Sequence, residues 1–364
     1  MSTPHGNEDF LKYSILTQIE TQWREISDYL ELKGYRLRPR YCKNWQPSWE
    51  LPENEGKHPQ CFEDHIALPQ KWKTGIDAIQ VSTGRLVWIK RCEPNRTERD
   101  TLLSCLEVQD QSLNHCIPLL ECIEENEDTG VYYLVTPFLR PVHDPPLETL
   151  GDAIEFTTHI MEGLEFMHAN GTVTRDGEYR HIMMDARALY PDGFHPVKLH
   201  LDPTAQREAT HLPRGGCTVH YYYTEFQFDE LQYRQLPSDW EILRNNGRVY
   251  APELFEKGRP DSYNVDVWDV GQILRTRLYD EYSNVAFLKY VLILTLDWRM
   301  DAKLCHSTWR GSRPQNPSAY SLSRRLRPKS ETWLQAATLD LVAFFNDVVG
   351  IVRKTLVWIN ERHG

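Results

Sequence analysis

The sequence predicts an α+β chain in two lobes, a small β-rich lobe followed by a mostly helical one. Strand-like runs, IDAIQV (76–81), RLVWIK (85–90) and VYYLVTPFL (131–139), crowd the first part. Pro141, Pro145 and Pro146 then interrupt the chain. Beyond Gly151 the apolar residues Ile154, Ile160, Met161, Leu164 and Met167 fall in helical steps. The expected organisation is a helical extension over 1–34, a β-rich lobe over 35–140, and a helical lobe over 141–364 with an insertion at 186–220.

Each element has its own signal. Leu11, Ile15, Ile19, Trp23, Ile26 and Leu30 describe one apolar helix face, which Gly34 is suited to stop. This reads as a packing helix rather than a detachable one that binds a partner. The stretch from Gly34 to Gly75 lacks a period but carries Trp45, Trp49 and Trp72, which predicts an ordered wrap, because exposed indoles are costly. Ser82-Thr83-Gly84 is a hairpin signal between two of the strands. The final run, LDLVAFFNDVVGIVRKTLVWI, is helix-like.

Composition excludes some functions. A net charge of −11 argues against a nucleic-acid partner, which needs a basic surface to replace counterions. The eight cysteines form no C-x-x-C pair, which argues against a zinc ribbon or a thioredoxin-type site. Scattered cysteines, an N-terminus without an apolar signal core and apolar runs too short for a membrane span point to the cytosol or nucleus. The expected partner is a protein, with no membrane and no nucleic acid.

Several short pieces, each weak alone, fall in one order. Val87-Trp88-Ile89-Lys90 ends a strand with a lysine, similar to the V-A-I-K of protein kinases. A strand lysine by itself is ordinarily a solvated edge charge. Glu98 follows in TERDTLLSCL, where a kinase helix places the glutamate that pairs with that lysine. MHANGTVTRD (167–176) resembles the approach to H-R-D, and His181-Ile182-Met183-Met184-Asp185 stands where kinases read N-I-L-x-D. Tyr222 to Gln227 resembles a strand entering D-F-G, Ala251-Pro252-Glu253 follows, and Asp266 to Gly271 looks like D-x-W-S-x-G.

GYRLRPRY, W-x-P-S-W, NHCIPLLE, LRPVHDPP, IMMD and LYPDGFHPV narrow the likeness. Together they resemble the fungal protein-kinase-like family expanded in mushroom-forming fungi, of the basidiomycete type. The resemblance covers roughly residues 34–275 and is strongest over 114–200. It implies a bilobal protein-kinase fold. It also implies that Lys90 would hold the phosphates of ATP, that Glu98 would orient Lys90, that Asp176 would stand as catalytic base and that Arg175 would brace its loop. Thr136 falls at the gatekeeper position, with the backbone of Pro137 and Leu139 facing adenine. Trp88, beside Lys90, would fill space from the far face of the strand.

The chain departs from the family where metal is held. His181 replaces the catalytic-loop asparagine, and imidazole suits zinc or copper better than Mg²⁺. Glu225 replaces the D-F-G aspartate, and its extra methylene displaces the carboxylate. Gln227 replaces the glycine and Thr174 the H-R-D histidine. Between Lys73 and Lys90 the only glycines are Gly75 and Gly84, so there is no Gly-rich phosphate lid. The expected function is that of a pseudokinase acting as a scaffold or allosteric regulator, with ATP binding left open and Mg²⁺ weak or absent. The alternative is an active, atypical Ser/Thr kinase using Asp176, Lys90 and Glu225. A small-molecule phosphotransferase of the same fold fits less well, because of the Ala-Pro-Glu segment.

Two other segments carry expectations. The insertion holds His195, His200, His211 and His220 without zinc-site regularity, and reads as a surface excursion or a docking surface. In the loop before Ala251, Tyr233 and Ser238 are phosphorylatable, and Glu253 needs an arginine partner, for which Arg299 and Arg313 are candidates.

Overall fold

The computed structural model describes residues 13–94, 97–125, 130–174, 177–214, 217–228, 249–256, 260–314 and 325–343. The fold is α+β, and the chain divides into two compact units. Unit 1 comprises 1–107, 117–140 and 185–213, and unit 2 comprises 108–116, 141–184 and 214–364. Among the described residues, no helix is long and apolar enough to cross a membrane.

Unit 1 is built on a five-stranded antiparallel sheet in the order β1-β2-β3-β5-β4. Its strands are β1 Tyr35–Arg36, β2 Gly75–Gln80, β3 Arg85–Cys92, β4 Glu121–Glu124 and β5 Tyr132–Pro137. The β2–β3 hairpin turns at the predicted place, where Gly84 takes a φ of +68° that a side chain would resist. One sheet face carries Ile76, Ala78, Val87, Ile89, Tyr133 and Val135, all buried together with Trp23 and Leu30. Those last two come from α1 (Gln18–Glu25) and α2 (Ser27–Leu32), so the N-terminal helical segment belongs to this core. The single helix expected there is split at Ile26, and Gly34 ends the second piece with φ +88°. Helix α3, Thr97–Glu107, follows β3.

The wrap between β1 and β2 is a chain of short 3-10 turns, tied down by a buried acid. The Glu20 carboxylate is fully buried and accepts from the Thr17 and Leu68 N–H groups, the Arg40 guanidinium and the Tyr41 hydroxyl. Burial alone would raise its pKa, but these donors and the Arg40 charge hold it below the ordinary carboxylate value. Trp45 donates to Asp64, and its ring lies under the Arg40 guanidinium. The indoles thus order the wrap, as the composition predicts.

The insertion departs from its expected place in the helical part. Residues 185–213 pack within unit 1, where buried His195 contacts Glu63 at 3.1 Å and Arg140 donates to the Leu199 carbonyl. Only the remainder, from Arg214, lies in unit 2. The physical reason is charge: Glu63 and His195 satisfy each other in an interior that neither side chain enters cheaply alone. The short strand β6, Arg140–Pro141, marks where the chain leaves unit 1.

Unit 2 centres on α4, Leu150–Ala169, whose start is fixed by a capping box between Thr149 and Asp152. Strand β7 (Thr172–Thr174) pairs with β10 (Phe226–Phe228), and β8 (Ile182–Asp185) neighbours β9 (His220–Tyr223). Helix α5, Ser262–Leu274, continues into a wide turn, and α6 (Lys289–Leu292) and α7 (Ala302–Ser312) follow. Gly271 of α5 is required by close packing, since a Cβ there would lie 2.5 Å from the Thr295 hydroxyl. Trp309 of α7 is fully buried and donates to Thr158 of α4. Most of the helix-like run at the C-terminus lies outside the described residues.

Replacing Glu20 with alanine leaves the Arg40 charge buried without its partner, a loss of about 3–5 kcal/mol. Chemical denaturation of Glu20→Ala is expected to show that loss with a fully cooperative transition. A change below about 0.5 kcal/mol, the size of an ordinary surface substitution, would remove this ion pair as the anchor of the wrap.

Candidate functional site

Lys90 and Thr136 lie on one sheet face of unit 1. Strand alternation places Trp88 on the same side of β3 as Lys90. Antiparallel register then adds Gly75 opposite Lys90 and Thr136 opposite Trp88. The Lys90 ammonium donates to the Glu98 carboxylate on α3 at 2.7 Å, so the expected pair forms. Both side chains keep about a third of their exposure (28% and 32%), so the pair orients Lys90 but adds only about 0–1 kcal/mol of stability.

Trp88 differs from its expected position on the far face. Its indole lies across Gly75, where a Cβ would come within 1.9 Å of the ring. It also meets Trp72 edge-on at 4.8 Å and Phe138 at 6.3 Å. Each such aromatic pair adds about 0.5–1.5 kcal/mol beyond burial. In V-A-I-K this position is alanine, so the chain exchanges the smallest side chain there for the largest, directly beside the lysine. Thr136 is buried, and its hydroxyl has no hydrogen-bond partner among the described residues. Pro137 pairs with Val87, and the Phe138 N–H donates to the Leu86 carbonyl, so the connector is drawn into the sheet. Leu139 is buried.

The rest of this face is covered as well. Phe194, from the inserted segment, packs 6.0 Å from Phe138, and the Arg140 guanidinium lies between the Phe194 and Tyr190 rings. Arg38 donates to Asp77 and Glu63, and Glu63 meets His195. Burial opposes the Glu63 charge, yet His195 and Arg38 hold its pKa below the ordinary value.

Unit 2 holds the remaining motif residues. Asp266 on α5 is fully buried and accepts from the Thr174 N–H at 2.8 Å and its hydroxyl at 2.5 Å. Threonine, standing where the family reads histidine, therefore has its own buried bond. His181 and Glu225 approach each other at 3.8 Å, and His181 Nε2 accepts from the Arg180 guanidinium at 3.1 Å. With Nε2 accepting, a neutral His181 carries its proton on Nδ1, facing Glu225. Gln227 sits in regular antiparallel pairing with Val173, a strand position rather than a flexing turn. Glu253 pairs with Arg299, which decides between the two candidate arginines. Asp176, Arg175, Tyr233 and Ser238 lie outside the described residues.

These residues fit Mg²⁺-ATP poorly. A divalent cation at His181 would meet a guanidinium and an N–H where it needs lone pairs, and imidazole is a soft substitute for the oxygen ligands that Mg²⁺ prefers. A purine beside Lys90 would have to displace the Trp88 indole. No protein-family model matches this chain, and no curated protein matches it in sequence. Lys90 meets Glu98 and His181 approaches Glu225, as the sequence order suggested, but sequence reasoning missed the covering role of Trp88, Trp72, Phe138 and Phe194. The period-two rule applied to Trp88 and Lys90 was the available signal.

Asp266→Ala strands the buried Thr174 N–H and hydroxyl, at about 1–3 kcal/mol for each group left unsatisfied. Equilibrium unfolding is expected to register that loss, with Asp266→Asn retaining part of the stability. Equal stability of Asp266→Ala and the native chain would contradict the anchoring role.

Proposed function

We propose that this chain is a pseudokinase: a bilobal protein-kinase frame that does not transfer phosphate and acts by binding a protein partner, as a scaffold or allosteric regulator. The observation that carries the reading is the Trp88 indole beside Lys90, stacked with Trp72 and Phe138 over Gly75. The kinase frame is supported by three pairings between motif residues: Lys90 with Glu98, Thr174 with Asp266 and Glu253 with Arg299.

Phosphoryl transfer asks a protein mainly to position the nucleotide and to neutralise charge as it develops. Trp88 opposes the first requirement, and the Arg180–His181–Glu225 arrangement opposes the second. A protein that keeps the frame while losing both is suited to present a surface instead. An active Ser/Thr kinase is the second reading, favoured by the formed Lys90–Glu98 pair and by Asp176 in the catalytic-base position of the sequence. It would need Trp88 to move before ATP could enter.

Reversion separates the two. His181→Asn with Glu225→Asp is expected to leave phosphotransfer at background, because the metal positions are not the sole defect. Trp88→Ala alone is expected to confer thermal stabilisation by ATP, worth about 2.7 kcal/mol at 100 times the dissociation constant. Phosphotransfer by the native chain with Mg²⁺, abolished by Lys90→Ala, would establish the kinase reading instead.

A further inference from the structure

Away from these motifs, three histidines and a glutamate of unit 2 converge. The ligand atoms of His115, His159 and Glu162 all lie within 4.8 Å of one another. His159 and Glu162 stand three residues apart on α4, hence on one face of the helix. His115 comes from the segment 108–116, and its Nε2 lies 3.2 Å from the Glu162 carboxylate. His306 of α7 brings its Nε2 to 3.9 Å from the other Glu162 oxygen.

The protons on these rings can be placed. His115 Nδ1 lies 3.0 Å from the Tyr221 carbonyl, which only accepts, so Nδ1 carries the hydrogen. His306 Nδ1 lies 2.5 Å from the Glu165 carboxylate and donates to it. Both Nε2 atoms then face the Glu162 carboxylate, His115 at 3.2 Å and His306 at 3.9 Å. His306 is 98% buried, with 2% of its surface exposed, and its Nε2 has no hydrogen-bond partner among the described residues. The His159 Nδ1 is also buried without one. The His159 ring stands on α4, one turn from Glu162. It is stacked between His115 and His220. Two ring nitrogens and a carboxylate oxygen within 4.8 Å of one another form a donor set that a cation can use.

We propose that His115, His159 and Glu162, with His306 beside Glu162, bind one divalent cation of the zinc type. Imidazole nitrogen with one carboxylate oxygen suits zinc rather than Mg²⁺ or Ca²⁺. Contraction to zinc–ligand distances of about 2.0–2.2 Å would draw the ligand atoms together from their present spacing. The outer shell is already present: Glu165 behind His306 and the Tyr221 carbonyl behind His115 fix each ring with its Nε2 inward. A cation held there would clasp the segment 108–116 to α4, with His306 of α7 against the same carboxylate. It does not depend on the pseudokinase reading.

The test uses the full chain without a histidine tag, stripped by chelator and titrated with Zn²⁺ or Co²⁺ alone. One equivalent of Zn²⁺ is expected to bind and to raise the melting temperature. Co²⁺ is expected to give the intense visible bands of a tetrahedral site. Glu162→Gln is expected to abolish those bands, and Glu165→Gln, which removes a positioning residue, to weaken Zn²⁺ binding by about 10–100-fold. Absence of tetrahedral Co²⁺ bands in the native chain would overturn the proposal and leave a proton shared between His115 and Glu162. Zn²⁺ affinity unchanged in a folded Glu162→Gln, His306→Gln double variant would overturn it equally.

Discussion

The indole of Trp88 lies across the backbone of Gly75, and much of unit 1 is arranged around that contact. Gly75 must lack a side chain for the ring to settle. Trp72 closes one side and Phe138 another, and Phe194 extends the aromatic layer from a segment far along the chain. The opposite sheet face is covered by α1 and α2, so both faces of the sheet are used for packing. A sheet packed on both faces in this way has a well-buried interior.

Unit 2 keeps its own order through buried charge. Asp266 holds Thr174 at the end of β7, and Glu253 meets Arg299. His168 also lies 3.2 Å from Asp266, so one carboxylate gathers an α4 side chain and a β7 backbone. Such acids are expensive to bury and persist only where donors converge on them. Arg180 donates to His181 at 3.1 Å, and His181 lies 3.8 Å from Glu225, so three polar side chains gather beside this core.

Much of this was legible in the sequence, for identifiable reasons. The hairpin at Gly84 follows from its left-handed backbone, and the strands of 76–90 and 131–139 from β-branched and aromatic runs. Lys90 and Glu98 met as expected because a strand end and the next helix are neighbours in the chain. Long-range placement was less legible. No local pattern announces that His195 pairs with Glu63, or that 185–213 joins the sheet unit. The histidines that converge on Glu162 come from three distant segments, so their regularity exists in space and not in spacing. Ile26 breaks the first helix although its apolar face continues, because periodicity reports which face is buried and not whether the backbone bends.

Calorimetric titration of the native chain with ATP, with and without Mg²⁺, addresses the closed site most directly. On the proposed pseudokinase reading, no saturable heat is expected in either series, because the Trp88 indole covers the sheet face beside Lys90. Saturable binding to the native chain, with Trp88 in place, would contradict the closed site, and a requirement for Mg²⁺ would in addition return His181 and Glu225 to a metal-holding role.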